Sequence, residues 1–184
     1  MATQPDAPSD EALLERIVDG ERPAFALLVE RHTKRFYALA YRSIFQQAEA
    51  EDIVQEAFLK LWQNPGLWQK ERGARFTTWF YRLVLNLCHD WNKRKRPSPW
   101  REGFDVADDA DGADDALAQR RKSAAVENAL RRLPPRQRTA LNLCFYEGLS
   151  NREAAEIMKV RVKALESLLM RAKTQLKDEL KDYR

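Results

Sequence analysis

Cysteine, histidine and glycine are all scarce in this chain of 184 residues. Two cysteines and two histidines cannot build a disulfide framework, and their spacing matches no paired metal-ligand motif. We therefore expect Cys88 and Cys144 to be buried, reduced thiols, and we expect no metal site. Glycine-rich phosphate loops and the HExxH zinc motif are also missing from the sequence. Neither a cofactor nor an enzymatic activity is predicted.

Long apolar runs are missing as well. A membrane-spanning helix needs about 18 apolar residues with few or no charges, and the best candidate, Phe76 to Cys88, is interrupted by Arg82. The segment from Met1 to Asp10 is polar and acidic, which is unlike a secretory signal. No membrane insertion is expected, and the cytoplasm is the predicted location.

Charge is abundant, and its distribution along the chain is uneven. The net charge of +4 combines +2 for residues 1–96, −6 for residues 97–116 and +8 for residues 117–184. The middle segment begins with prolines, is rich in aspartate and has no apolar period, as expected of a flexible acidic linker. The sequence therefore predicts two lobes, 1–96 and 117–184, joined by the linker 97–116.

The N-terminal lobe has the apolar periodicity of α-helices throughout. Helices are predicted from Asp10 to Val18, from Pro23 onward, from Ala48 to Asn64, and from Thr77 or Thr78 into the basic run Lys93 to Arg96. His32, Phe80 and Trp91 lie on apolar stripes and are expected in the core. Because long β-branched alternation is absent, the lobe is predicted to be all-α.

The C-terminal lobe is also predicted to be helical. Its helices are expected over Leu117 to Leu133, over Arg136 to Tyr146, from Ser150, and from Val162 onward. Ser150 and Glu153 have the spacing of a capping box, and residues 159–161 would separate the last two helices. Five residues would form the apolar side of the last helix: Val162, Leu165, Leu169, Ala172 and Leu176. This order is typical of a helix-turn-helix, although a plain α-hairpin has the same pattern.

The last helix also carries side-chain types that commonly contact DNA. Residues away from its apolar side are Arg161, Lys163, Glu166, Ser167, Met170, Arg171 and Lys173. Arginine pairs with guanine, glutamate accepts from cytosine, and methionine contacts the thymine methyl group. A solvated basic face is the alternative, but the +8 charge of this lobe favours contact with phosphates.

Aromatic and basic residues alternate between Pro65 and Arg82 in the N-terminal lobe. Such interleaving is how proteins hold unstacked bases of a single strand, since rings stack on bases and cations bind phosphates. Trp68, Phe76 and Trp79 are the rings expected to be available for stacking.

Three ordered motifs relate the chain to a known family. They are residues 50–62 (AEDIVQEAFLKLW), residues 76–87 (FTTWFYRLVLNL), and residues 133–138 (LPPRQR) followed by 148–158 (GLSNREAAEIM). In these three motifs the sequence resembles the extracytoplasmic-function (ECF) sigma factors, the small two-domain group of bacterial RNA polymerase sigma factors. The resemblance implies an all-α protein of two small helical domains, the second containing a helix-turn-helix.

The resemblance also implies partners and contact residues. Core RNA polymerase would bind Asp52, Gln55, Phe58, Leu59 and Trp62. The −10 element would be recognised and melted by Trp68, Arg72, Arg75, Phe76, Trp79, Arg82, Asn86, Asp90, Lys93, Arg94, Lys95 and Arg96. The last helix would read the −35 element of promoter DNA through the seven residues named above. An anti-sigma factor would hold the protein inactive.

One departure from the family pattern concerns the last helix. Glu166 and Leu168 stand where many members have basic residues, so no −35 base preference is carried over from the family. Two other functions fit the same sequence: a helix-turn-helix regulator that binds duplex operators without polymerase, and a helical adaptor whose basic lobe binds an acidic protein. A sigma factor would capture a single strand with the aromatic segment, whereas a regulator of duplex operators would not.

Overall fold

The computed structural model describes residues 8–68, 75–94 and 114–181, with the backbone alone over 114–122. Every regular element within these ranges is helical, which confirms the predicted all-α class. The chain divides into two compact units, Met1–Trp91 and Asn92–Arg184. Most of the predicted linker, residues 97–113, lies outside the described residues, whereas its last three residues open a helix.

The first unit contains four helices. They are α1 (Asp10–Val18), α2 (Arg22–Ile44), α3 (Gln47–Gln63) and α4 (Phe76–Arg94), with a short 3-10 turn at Pro65–Leu67. The Ser9 hydroxyl accepts from the Ala12 amide and caps α1. After α1 the chain turns through Gly20, whose φ of 84° favours glycine, and Pro23 lies in the first turn of α2. All four predicted helices are therefore present.

An aromatic cluster joins three of these helices. Phe80 of α4 lies at the centre, with ring-centroid distances of 4.6 Å to Phe36, 4.8 Å to Phe58 and 5.2 Å to Phe76. Leu13 and Leu14 of α1 are also fully buried, and α1 packs against α2. The Phe80 ring meets that of Phe36 edge-on and is tilted against those of Phe58 and Phe76, and burial of rings of this size contributes strongly to the stability of the unit.

The second unit contains α5 (Asp114–Arg132), α6 (Pro135–Leu141), α7 (Asn151–Ile157) and α8 (Val162–Glu179). A π-helical segment, Asn142–Tyr146, extends α6. Helix α5 begins three residues before the predicted Leu117. Arg138 joins α6 to the end of α5, because its Nη1 donates to the Arg131 carbonyl at 3.1 Å.

The helix-turn-helix is formed by α7 and α8. Ser150 Oγ accepts from the Glu153 amide, and the Glu153 carboxylate accepts from the Ser150 amide at 3.0 Å, so the predicted capping box is confirmed. The turn passes through Lys159, which adopts a φ of 52°. Leu165 and Ala172 of α8 are fully buried against α6 and α7.

Three expectations about burial need correction. Trp91 was expected in the core but is only partly buried. Val162 is 40% exposed, because it is the first residue of α8 and protrudes beyond the packed turns. Cys88 is buried as predicted, but Cys144 is only partly buried, and its Sγ lies 3.7 Å from the Asn151 Oδ1. Partial burial still raises the pKa of the Cys144 thiol, and the nearby Lys173 ammonium opposes that shift.

Candidate nucleic-acid and protein-binding surfaces

Helix α4 separates a buried side from a polar, cationic side. Its buried residues are Phe76, Phe80, Tyr81, Val84 and Cys88. The opposite side is formed by residues spaced three or four apart, which places them on one face of a helix. These are Arg75, immediately before α4, and Trp79, Arg82, Asn86, Asp90 and Lys93. We call this set the α4 face.

The structure thus brings together six of the residues that the resemblance assigned to the −10 element. Trp79 and Arg82 are half-buried, whereas Asn86, Asp90 and Lys93 are exposed. Arg94, the last residue of α4, is also exposed. Three further candidates, Arg72, Lys95 and Arg96, lie outside the described residues.

The prediction of which rings are available for stacking was wrong at two positions. Phe76 is fully buried, because its ring fills the space between His32, at 5.6 Å, and Phe80. Trp68 is only 9% exposed and follows the 3-10 turn that packs against α1. Trp79 stays partly accessible, with its ring centroid 6.0 Å from that of Phe76. Among the described rings of this segment, Trp79 is therefore the one that can stack on a base.

A groove of about 1020 Å³ lies between α2 and α3. All five residues assigned to polymerase binding line this groove: Asp52, Gln55, Phe58, Leu59 and Trp62. Leu59 is 51% exposed at the rim. Phe58 is buried and forms the floor of the groove, where its ring meets Phe25 edge-on at 6.4 Å. It therefore supports the residues at the surface, and little of its own side chain is accessible to a partner.

Helix α2 contributes a wall that the sequence analysis did not identify. Phe25, Val29, Thr33 and Tyr37 recur every four residues and line the groove. These residues form a second stripe on α2, beside the stripe that contains the buried Leu28. A largely apolar face this wide is the sequence signal that could have predicted the wall. Trp62 lies 4.9 Å from Phe25, so the two walls touch at one end.

The groove combines an apolar lining with an acidic rim. Its charged residues in the described chain are the carboxylates Glu30, Glu51, Asp52 and Glu56 and the ammonium of Lys34. Glu56 also pairs with Lys60 at 3.1 Å across one helical turn. A partner with apolar side chains flanked by basic ones would complement this surface.

Helix α8 presents its predicted DNA-contacting residues to solvent. All seven are exposed, from Arg161, which precedes α8, to Lys173. Ser167 Oγ donates to the Lys163 carbonyl at 3.0 Å, while Met170 is 65% exposed. Phe145 and Tyr146, at the end of the π-helical segment, are also exposed, which the helical pattern of that stretch did not predict.

Comparison with known proteins identifies both units. The family description Sigma-70 region 2 matches residues 28–97, and Sigma-70, region 4 matches residues 123–176. The ECF RNA polymerase sigma factor SigW of Bacillus subtilis is 29% identical over 180 residues, covering 92% of this chain and 95% of its own. The RNA polymerase sigma-H factor of Pseudomonas aeruginosa is 30% identical over 175 residues, covering 89% and 90%. The chain belongs to the ECF sigma factors.

The architecture agrees with that assignment. The structure of CnrH in complex with the cytosolic domain of CnrY matches this ECF sigma factor with a TM-score of 0.71 and 25% identity, covering 94% of this chain and 97% of that one. The region 2 match covers the α4 face and all of the groove except Phe25, and the region 4 match includes α7 and most of α8. Sigma factors are transcription initiation factors that bind core RNA polymerase and promoter DNA.

No helix within the described ranges is both long enough and apolar enough to cross a membrane.

Proposed function

We propose that this ECF sigma factor binds core polymerase through the groove, opens the −10 element on the α4 face and reads the −35 element with α8. The single observation that carries the proposal is the α4 face, where an accessible tryptophan lies among cationic and amide side chains on one helix. An operator-binding regulator has no need of such a surface, so the duplex-only alternative is not favoured. Residues 1–96 would form the docking and melting domain, and residues 117–184 the −35 domain.

Docking in the groove is supported by its shape and chemistry. An amphipathic helix of the polymerase would place its apolar side against Phe25, Leu59 and Trp62, and its basic residues against the acidic rim. Loss of exposed apolar area on both partners provides the affinity, while charge complementarity sets the orientation.

Opening of the −10 element is supported by the chemistry of Trp79 and its neighbours. A base that leaves the duplex and stacks on an indole regains about 1–3 kcal/mol, which offsets part of the cost of unpairing. Arg75, Arg82 and Lys93 would hold the phosphates on either side, while the Asn86 amide can both donate and accept at a base edge. Binding of the separated strand therefore stabilises the open promoter.

Recognition of the −35 element is supported by the exposed residues of α8. The first turns of a recognition helix face base edges in the major groove, and those turns contain Lys163, Glu166 and Ser167. Arg171 and Lys173 lie farther along the helix and would contact phosphates. The linker 97–116 would span the polymerase cleft between the two elements, where its acidic residues resist binding DNA.

Control by an anti-sigma factor is part of the same proposal. The groove exposes Leu59 and the half-buried Trp62, and apolar surface of this kind is normally covered by a partner. The related CnrH was solved with the cytosolic domain of CnrY bound. A protein that covers the groove would block polymerase directly. The sigma factor would act in the cytoplasm, without catalytic activity of its own.

The decisive experiment is transcription by core polymerase plus this protein over a library of promoters with randomised −35 and −10 elements. We expect enrichment of sequences at two positions separated by a fixed spacer. Leu59→Asp should abolish binding to core polymerase, because it places a charge on the apolar rim. Leu67→Asp is the matched control, since Leu67 is equally exposed, at 51%, but does not line the groove. Tight binding to duplex DNA without any polymerase-dependent transcription would overturn the proposal.

A further inference from the structure

A partly buried cluster of polar side chains joins α1 to α2. Asp10, the first residue of α1, accepts two contacts from consecutive residues of α2: Arg31 Nη1 donates to Oδ1 at 2.6 Å, and His32 Nε2 donates to Oδ2 at 2.8 Å. Arg31 also donates to the Pro8 carbonyl at 2.9 Å. The side chain of Asp10 is 15% exposed and that of His32 is 7% exposed, so water competes little for the hydrogen bond between these two side chains.

The hydrogen bond to Asp10 fixes the orientation of the His32 ring. The last side-chain torsion of histidine has only a broad, roughly two-fold preference, so a hydrogen bond to one ring nitrogen selects one orientation of the ring. With Nε2 directed at Asp10, the ring lies 5.8 Å from Phe36 and meets Phe76 edge-on at 5.6 Å. His32 is therefore one wall of the site that holds Phe76.

Phe76 in turn supports the accessible tryptophan of the α4 face. It is the first residue of α4, is fully buried, and lies 6.0 Å from the Trp79 ring one turn later. A continuous series of contacts thus runs from the Asp10 carboxylate through His32 and Phe76 to Trp79. Helix α1 also packs against the 3-10 turn that precedes Trp68. It therefore supports the chain on both sides of residues 69–74.

We propose that Asp10 and His32 are positioning residues for base capture, holding Phe76 and through it the Trp79 ring in the orientation that stacks on an unpaired base. This inference rests on the proposed function of the α4 face, and it assigns a role there to two residues that are not among those proposed to contact DNA or polymerase. Packing restricts a side chain more tightly when its neighbours are themselves fixed by hydrogen bonds, and stacking depends on ring orientation.

Two variants distinguish the contribution of the Asp10–His32 hydrogen bond from that of the His32 ring. Asp10→Ala keeps the His32 ring but removes the carboxylate that orients it, whereas His32→Gln keeps a donor for Asp10 but removes the ring that supports Phe76. Cys88→Ala is the control for a general loss of packing, because Cys88 is buried on the same helix about two and a half turns beyond Trp79. All three variants should be compared at matched fractions of folded protein.

The first readout needs no promoter. The indole N–H signals of the five tryptophans are recorded by NMR on the full chain, with Trp79 assigned from a Trp79→Phe sample. We expect the Trp79 signal to shift in Asp10→Ala and His32→Gln and to stay in place in Cys88→Ala. If the Trp79 signal has the same position in all three variants, the proposed positioning is overturned.

The second readout uses core polymerase and the strongest promoter recovered by the wild-type protein from the randomised library. Both test variants should reduce permanganate reactivity of −10 thymines roughly fivefold, while holoenzyme formation is unchanged. Loss of reactivity equal to that of Cys88→Ala would show a merely structural role and overturn the proposal. If the wild-type protein opens no promoter, the proposed function fails, and the Trp79 signal still decides the positioning of the ring.

Discussion

The ammonium group of Lys173 lies 4.7 Å from the centroid of the Phe145 ring. This contact joins α8 to the π-helical segment that extends α6, although the two residues are 28 positions apart in the sequence. Lys173 is also one of the residues assigned to −35 DNA. Because an ammonium group has three N–H donors, Lys173 can lie against the ring and still contact a phosphate.

A double-mutant cycle with Lys173→Met and Phe145→Leu should measure a coupling free energy of about 0.5–1 kcal/mol, as for cation–π pairs at exposed sites. Urea unfolding followed by circular dichroism provides the four stabilities. Pairing Lys163→Met with Phe145→Leu is the control, because Lys163 lies near the start of α8, more than two turns before Lys173. Additivity of Lys173→Met and Phe145→Leu would contradict the contact.

The capping box of α7 gives a second prediction about stability. Ser150→Ala should lower the free energy of unfolding by about 1 kcal/mol, because the Glu153 amide loses its acceptor at the start of a helix only two turns long. Thr174→Ala is the matched control: its hydroxyl donates to the Met170 carbonyl within α8 and caps nothing. Guanidinium unfolding of both variants should separate them clearly, and equal stabilities would argue against the cap.

The helices could be predicted from local sequence signals. Ser150 and Glu153 define the start of α7 by their spacing alone, and Gly20 and Pro23 set the end of α1 and the start of α2. These signals act within one or two turns, so they do not depend on how distant segments pack.

The accessibility of individual rings could not be predicted in the same way. Phe76 and Trp79 are both aromatic residues near the start of α4, about one turn apart, yet one is fully buried and the other half-buried. Which of them faces inward depends on His32, which is 44 residues away in the sequence. The groove raises the same difficulty, since its α2 wall only becomes a surface once α3 lies beside it.

Opposite roles for these two rings give a third prediction. Phe76→Ala should lower the free energy of unfolding by about 3–5 kcal/mol, because it leaves a cavity in the aromatic cluster. Trp79→Ala should cost much less stability but should impair promoter opening, measured by permanganate footprinting near −10. Polymerase binding by Trp79→Ala should be unchanged. Unaltered thymine reactivity would remove Trp79 from the −10 site.

The raised pKa of Cys144 gives a prediction about pH. Burial disfavours the thiolate, so the native thiol keeps its proton to higher pH than the same thiol in the unfolded chain. Alkylation of Cys144 by iodoacetamide can be followed by peptide mass spectrometry. In the native protein its rate should begin to rise at a higher pH than it does for the unfolded chain in urea. Since the unfolded thiol loses its proton first, this group lowers the stability of the fold as the pH rises through the unfolded pKa. Coincident pH profiles in buffer and urea would contradict the prediction.

Arg171 tests the −35 surface. It is exposed on α8 on the side away from the buried leucines, where it would contact a phosphate and not a base. When one phosphate contact is lost, DNA binding releases about one counterion fewer. Because this term does not depend on sequence, Arg171→Ala should weaken holoenzyme binding to all −35 sequences alike. The slope of log K against log salt should fall by about 1. Lys181→Ala is the control, because Lys181 lies beyond the end of α8 and pairs with Asp178 at 2.8 Å. Loss of affinity for only some −35 sequences would instead place Arg171 at a base edge, and wild-type affinity and slope would remove it from the surface altogether.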